Sequence, residues 1–393
     1  RSELFALQDS IAAEVSNFLR IRIGEQIERR ASRAGTRNAQ AWELLQHARE
    51  EAAGIDRIIA TGDTGAIARQ FARTDSIYAA AAAADPAWAS PLTERGWLSY
   101  RLMRLAGSKT EAEELITQGQ RHAAAALALS ASDPDALELQ ATLTYWRWLL
   151  GLETNSDRAA QALADAERDY RAAVTANPQQ ASAWTSLSHL LINKAQVAEA
   201  NLAASRAYEA DPYLTNANVT LWRLFTTSLD LEDEIQARRW CEEGSRRFGS
   251  DPRFVECRLL LFALKGVQPD VSEAWRLLDE YVLLSPPELR PFRQLRGQMI
   301  VATALARAGL DDSARSVILR SRAPDAQFDP TRELAYLEAV ARTILGDTDE
   351  AFSQLSLFLA TNPAQRATFA ADQTWWFRPL RTDRRYRSLT GGA

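Results

Sequence analysis

The sequence is poor in the residues that most often do chemistry. It has two cysteines, two methionines and three histidines in 393 residues. With only Cys241 and Cys257, a disulfide framework is excluded. Two buried free thiols in helices are the expected state. A bond would require the second helix of one repeat to set Cys241 against Cys257 of the next, and the redox compartment stays open. His47, His122 and His189 lie far apart and lack the i, i+4 pairing of a helical metal site. There is no glycine-rich phosphate loop, no nucleophile elbow and no cysteine pair at metal spacing. The expectation is a non-enzyme with no cofactor and no metal. The acidic groups Glu111, Glu113 and Glu114, or Asp311-Asp312, fall at expected helix starts, where negative charge is favourable.

Other absences narrow the partners. No apolar run approaches the roughly 18 residues a membrane span needs. A net charge of −5, from 46 basic and 51 acidic residues, offers no footprint for nucleic acid or an anionic membrane. β-Branched alternation is scarce, while runs such as Ala79 to Ala84 favour helix. Arg1 leads directly into an amphipathic stretch without a signal peptide, as in a fragment that begins inside a longer protein.

What is present is a period. Between Asn177-Pro178 and Asp211-Pro212, prolines 34 residues apart enclose two amphipathic helices. The first carries Trp184, Leu187 and Leu191 on one face, and the second Ala200, Ala203, Ala204 and Ala207 with Tyr208 beside them. Asn-Lys-Ala-Gln at 193 to 196 makes the turn. Closing prolines recur at 86, 134, 178, 212, 252, 286, 330 and 363, at intervals from 33 to 48. The eighth unit is degenerate at its start and clear from Gly346-Asp347 onward.

Trp184, Leu187-Ser188, Leu191, Ala200, Ala204, Ala207 and Pro212 resemble the tetratricopeptide repeat family. The resemblance implies an all-α, right-handed superhelical solenoid of about eight helical hairpins. Its organisation would be an amphipathic helix and linker at 1–37, a repeat array at 38–363 and a capping segment at 364–393. The first stretch shows Leu4, Leu7, Ile11, Val15 and Phe18 on one face. Within it, LFALQDSIAAEV resembles the segment that joins a TolB-like domain to such repeats in bacterial signalling proteins, where a kinase, cyclase or winged-helix regulator is fused. That implies a cytoplasmic or periplasmic region of a bacterial protein that can carry a membrane anchor.

Arrays of this kind bind on a concave face made mostly by first helices. The positions expected there are Tyr145, Arg147 and Trp148 in the third unit, Thr185, His189 and Asn193 in the fourth, and Asn216, Val219 and Arg223 in the fifth. They suit a protein or peptide ligand with a polar or acidic anchor. Some family members grip a chaperone C-terminus with a lysine, arginine and asparagine clamp; Asn193 and Arg223 are present, but Thr185 replaces the first lysine. Two alternatives stay open. One is a small ligand, such as a cell-wall or sugar fragment, walled by Trp146, Trp148 and Trp222; the other is self-association. In the tail, Trp375, Trp376, Phe377, Leu380 and Leu389 alternate with Arg378, Arg381, Arg384, Arg385 and Arg387. The aromatics are expected to dock on the last helix pair, the competing reading being a basic peptide for RNA or acidic lipid.

Overall fold

Most helix starts are marked by a short polar side chain. Asn38, Asp63, Ser108, Asp133, Asn155, Asp233 and Asp270 stand at N-caps and accept hydrogen bonds from amides two or three residues on. They satisfy donors that the first turn leaves open. The computed structural model describes residues 35–214 and 216–391. The amphipathic helix expected near the start of the chain lies outside them. Among the described residues there is helix and loop but no strand, arranged in two compact units. The first ends at Ala183 and the second begins at Trp184.

Among its described residues the first unit holds three helical hairpins. Helix α1 (Ala39–Ala53) and the short α2 (Ile55–Ile59) pair with α3 (Thr64–Ala84). Helix α4 (Ser90–Met103) pairs with α5 (Lys109–Leu129), and α6 (Pro134–Leu149) with α7 (Ser156–Ala176). The helices α4 and α5 cross closely at Gly96 and Gly119. A Cβ on Gly96 would overlap Leu139 of α6, so the absence of one lets the leucine enter the seam.

The second unit continues the pattern with α8 (Ala181–Asn193) and α9 (Val197–Ala210), then α10 (Ala217–Asp230) and α11 (Glu234–Arg247). Next come α12 (Arg253–Leu261) with α13 (Val271–Leu284), and α14 (Arg290–Arg307) with α15 (Asp311–Arg320). The last hairpin is α16 (Glu333–Leu345) and α17 (Thr348–Thr361), followed by α18 (Arg366–Ala371) and α19 (Arg384–Thr390). Ala200, Ala203, Ala204 and Ala207 on α9 are buried, as their small size at that seam requires. The degenerate start of the eighth repeat has a local explanation. Asp329 accepts from the amides of Glu333 and Leu334, capping α16 from upstream.

Two expectations are corrected. Cys241 of α11 and Cys257 of α12 form a disulfide, with Cα atoms 5.7 Å apart. Gly244 explains why the reach is short enough: a Cβ there would overlap the Phe254 ring, and without one α12 closes against α11. The tail also does more than cap the last pair. Phe369, Phe377, Leu380 and Tyr386 pack with Phe352, Leu355 and Leu359 of α17, as a cap would. Trp375, however, joins Leu229 and Trp240 in the core built around α10 and α11.

Candidate functional site

The segment from α18 onward spans the second unit from its last hairpin back to its first. Its aromatic contacts begin on α16, where Tyr336 meets Phe369 and Phe377 at ring separations of 6.2 and 5.8 Å. At the other end, the Thr368 hydroxyl donates to the Asn193 carbonyl at the end of α8, 2.7 Å away. The Trp375 indole donates to the Leu229 carbonyl (2.9 Å) and the Trp376 indole to the Asp230 carboxylate (2.6 Å), both at the end of α10. Arg378 pairs with Glu232 just beyond. A helix C-terminus presents open carbonyls and a partial negative charge, and these donors answer both.

Beneath the tail lies a cavity of about 200 Å³. Consecutive first helices supply its wall, each through residues spaced one turn apart. Helix α10 gives Trp222, Thr226 and Asp230, and α12 gives Glu256 and Leu260. Helix α14 gives Arg296 and Met299, and α16 gives Tyr336 and Val340. Trp376 completes the wall from the tail.

The electrostatics of this wall are lopsided. Arg296 reaches Glu256 at 2.5 Å and Glu333 at 2.5 Å, so one guanidinium serves two carboxylates. Burial acts against its charge, but the carboxylates outweigh burial and hold its pKa well above the ordinary value. Glu256 is 3% exposed, and its Oε1, although beside the guanidinium, receives no aligned hydrogen bond. Among the described residues Asp230 has no cationic partner. Burial pushes its carboxyl up to about 7 and nearby Asp372 adds to this, against the pull of the Trp376 N–H. Burial likewise raises the Tyr336 phenol, with Asp230 the next contributor.

The expected site residues fall in different settings. In the first unit Tyr145 is buried and stacks on Trp148 at 5.9 Å. Arg147 pairs with Glu113 and Glu153, and Trp146 packs on Tyr100 beneath Arg104. In the second unit Thr185 is buried in a hydrogen bond with Thr220 (2.9 Å). Tyr145 and Thr185 therefore face protein, because each lies at a helix seam. His189 is held neutral, its pKa pushed down to about 3 by burial and by the Arg223 charge. The Asn193 side chain donates to the His189 carbonyl. Val219 and Arg223 are half-buried and Asn216 is exposed. Of these, Asn193 touches the tail through its backbone, and Trp222, the wall expected for a small ligand, lines the cavity. Asp230, Glu256, Arg296 and Tyr336 were not anticipated. The usable signal was Glu256, a lone acid among Phe254, Val255 and Cys257.

No protein-family model matches the chain, and no curated protein does. Several solved structures are similar. Pseudomonas aeruginosa PilF is 15% identical with a TM-score of 0.44, covering 63% of this chain and 93% of its own. Human IFIT1, in a dimer with m7Gppp-AAAA, is 11% identical with a TM-score of 0.44, covering 93% and 91%. Yeast Tom70 is 11% identical with a TM-score of 0.37, covering 100% and 99%. The helical-hairpin architecture rests on the hairpins themselves.

Proposed function

We propose that this chain is a non-catalytic binding scaffold whose first-helix face, in the second unit, takes a segment of protein or peptide. The observation that carries the reading is the C-terminal segment. It already lies on that face, held by two indole N–H groups at the end of α10 and by Thr368 at the end of α8. A partner with an aromatic pair and a neighbouring cation would meet the same acceptors. We read the chain as the scaffold or sensor region of a bacterial signalling protein. The buried disulfide supports a location on the oxidising side of a membrane, because such bonds persist where thiols are not kept reduced.

The test is binding in trans. A labelled peptide with the sequence of residues 366–381 is titrated into the wild-type chain and into a Trp375→Ala/Trp376→Ala variant. Saturable binding to the folded variant, and much weaker binding to the wild type with its own tail in place, is expected. A folded variant that does not bind the peptide contradicts the reading.

A further inference from the structure

We propose that the cavity of the second unit binds a small organic cation, an alkylammonium with an apolar body, between Trp222, Tyr336 and Trp376 and against Asp230. The inference rests on the cavity and not on the peptide reading, since it takes the docked tail as one wall.

Charge is the first argument. The wall and its immediate ion pairs hold three carboxylates, Asp230, Glu256 and Glu333, against one guanidinium, Arg296. Arg296 is committed to Glu256 and Glu333 together, so Asp230 is left with a neutral donor, the Trp376 indole. A carboxylate removed from water with no counter-charge is costly, and a cation entering the cavity supplies what the protein does not. An anion would meet the opposite balance. A bare metal ion is disfavoured too, since no group of three or more metal-ligating side chains converges among the described residues.

The walls decide the class of cation. Trp222, Tyr336 and Trp376 present aromatic surface, and the negative face of an aromatic ring attracts a weakly hydrated organic cation. Leu260, Met299 and Val340 leave the rest of the lining apolar, which suits alkyl groups and not a hydrated ion. A volume of about 200 Å³ holds roughly seven water-sized groups, which is the scale of a quaternary or short-chain ammonium compound.

The experiment uses the full chain and two probes of the same shape, choline and its uncharged carbon isostere 3,3-dimethyl-1-butanol, titrated calorimetrically to about 10 mM. Choline is expected to saturate at one site per chain, with the isostere at least tenfold weaker. Asp230→Asn, which keeps an oxygen for the Trp376 N–H, is expected to lower choline affinity at least tenfold while leaving the thermal transition cooperative. If that variant fails to fold, Trp222→Leu is read in its place, with the same loss expected. Equal binding of the two probes, no saturable binding of choline, or full affinity in the folded Asp230→Asn chain would overturn the proposal. Retained choline binding with no peptide binding in trans would sink the peptide reading and leave this one standing.

Discussion

The two units are built from the same hairpin, yet they solve the problem of their ends differently. In the first, α3, α5 and α7 are each 21 residues long. In the second, α9, α11, α13 and α17 are each 14 and α15 is 10. In the first unit a polar belt runs along α6. Glu138 accepts from Gln180 and Ser182, Gln140 donates to Asp169, and Thr142 bonds to Tyr170. The second unit, with shorter second helices, is fastened by other devices: a disulfide, a tail that spans the unit, and the Arg322–Glu338–Arg342–Asp347–Arg315 chain of ion pairs. The difference lies in how the first-helix face is closed. Where the tail crosses the first helices of the second unit, a cavity with unbalanced charge arises.

The comparison is broken most severely by removing the fastening. Trp375→Ala/Trp376→Ala should destabilise the second unit by at least the ~3–5 kcal/mol of one buried tryptophan. Amide exchange of residues 39–176 should stay unchanged. Equal loosening of both units in exchange mass spectrometry would contradict the contrast. Reducing the Cys241–Cys257 bond comes next, at about 2–4 kcal/mol for a short loop. It should lower the denaturation midpoint of the second unit only.

A pH effect of comparable size has the same sign at two buried carboxyls, one in each unit. Glu138, pushed up to about 7 by burial, and Asp230, likewise at about 7, keep protons in the folded state that unfolded carboxylates have already lost. Each therefore makes its unit less stable as pH rises from about 4 to about 7, and levels off above. Glu138→Gln and Asp230→Asn should each raise stability more at pH 8 than at pH 5, in the first and second units respectively, by urea denaturation followed with exchange. His189 acts in the other direction. Its neutral folded form means that stability falls as pH drops below about 6.5, where the unfolded imidazole takes up a proton. The smallest effect belongs to Arg147→Ala, whose partly exposed pairs with Glu113 and Glu153 should give under ~1 kcal/mol.

The hairpins were legible because their determinants are local. Caps such as Asp133 and Asp270, alanine seams such as Ala200–Ala204 and the spaced prolines act within one repeat. The site was not, because its pieces are far apart in sequence. Trp376 meets Asp230 across a separation of 146 residues, and no periodicity announces such a contact. The disulfide was missed for a related reason: pairing depended on how closely α12 approaches α11, which Gly244 sets and spacing alone does not. Tyr145 and Thr185 were placed on the open face because a rotation of about one residue around a helix separates seam from surface.

The central claim is that the C-terminal segment is bound on the first-helix face of the second unit. Amide hydrogen exchange across residues 366–389 tests it most directly, with wild type and Trp376→Ala compared in native buffer. Slow exchange is expected in the wild type, with a marked loss of protection in the variant that the ends of α8 and α10 share. Exchange as fast as an unstructured peptide in the wild type, or protection that Trp376→Ala leaves intact, would contradict it.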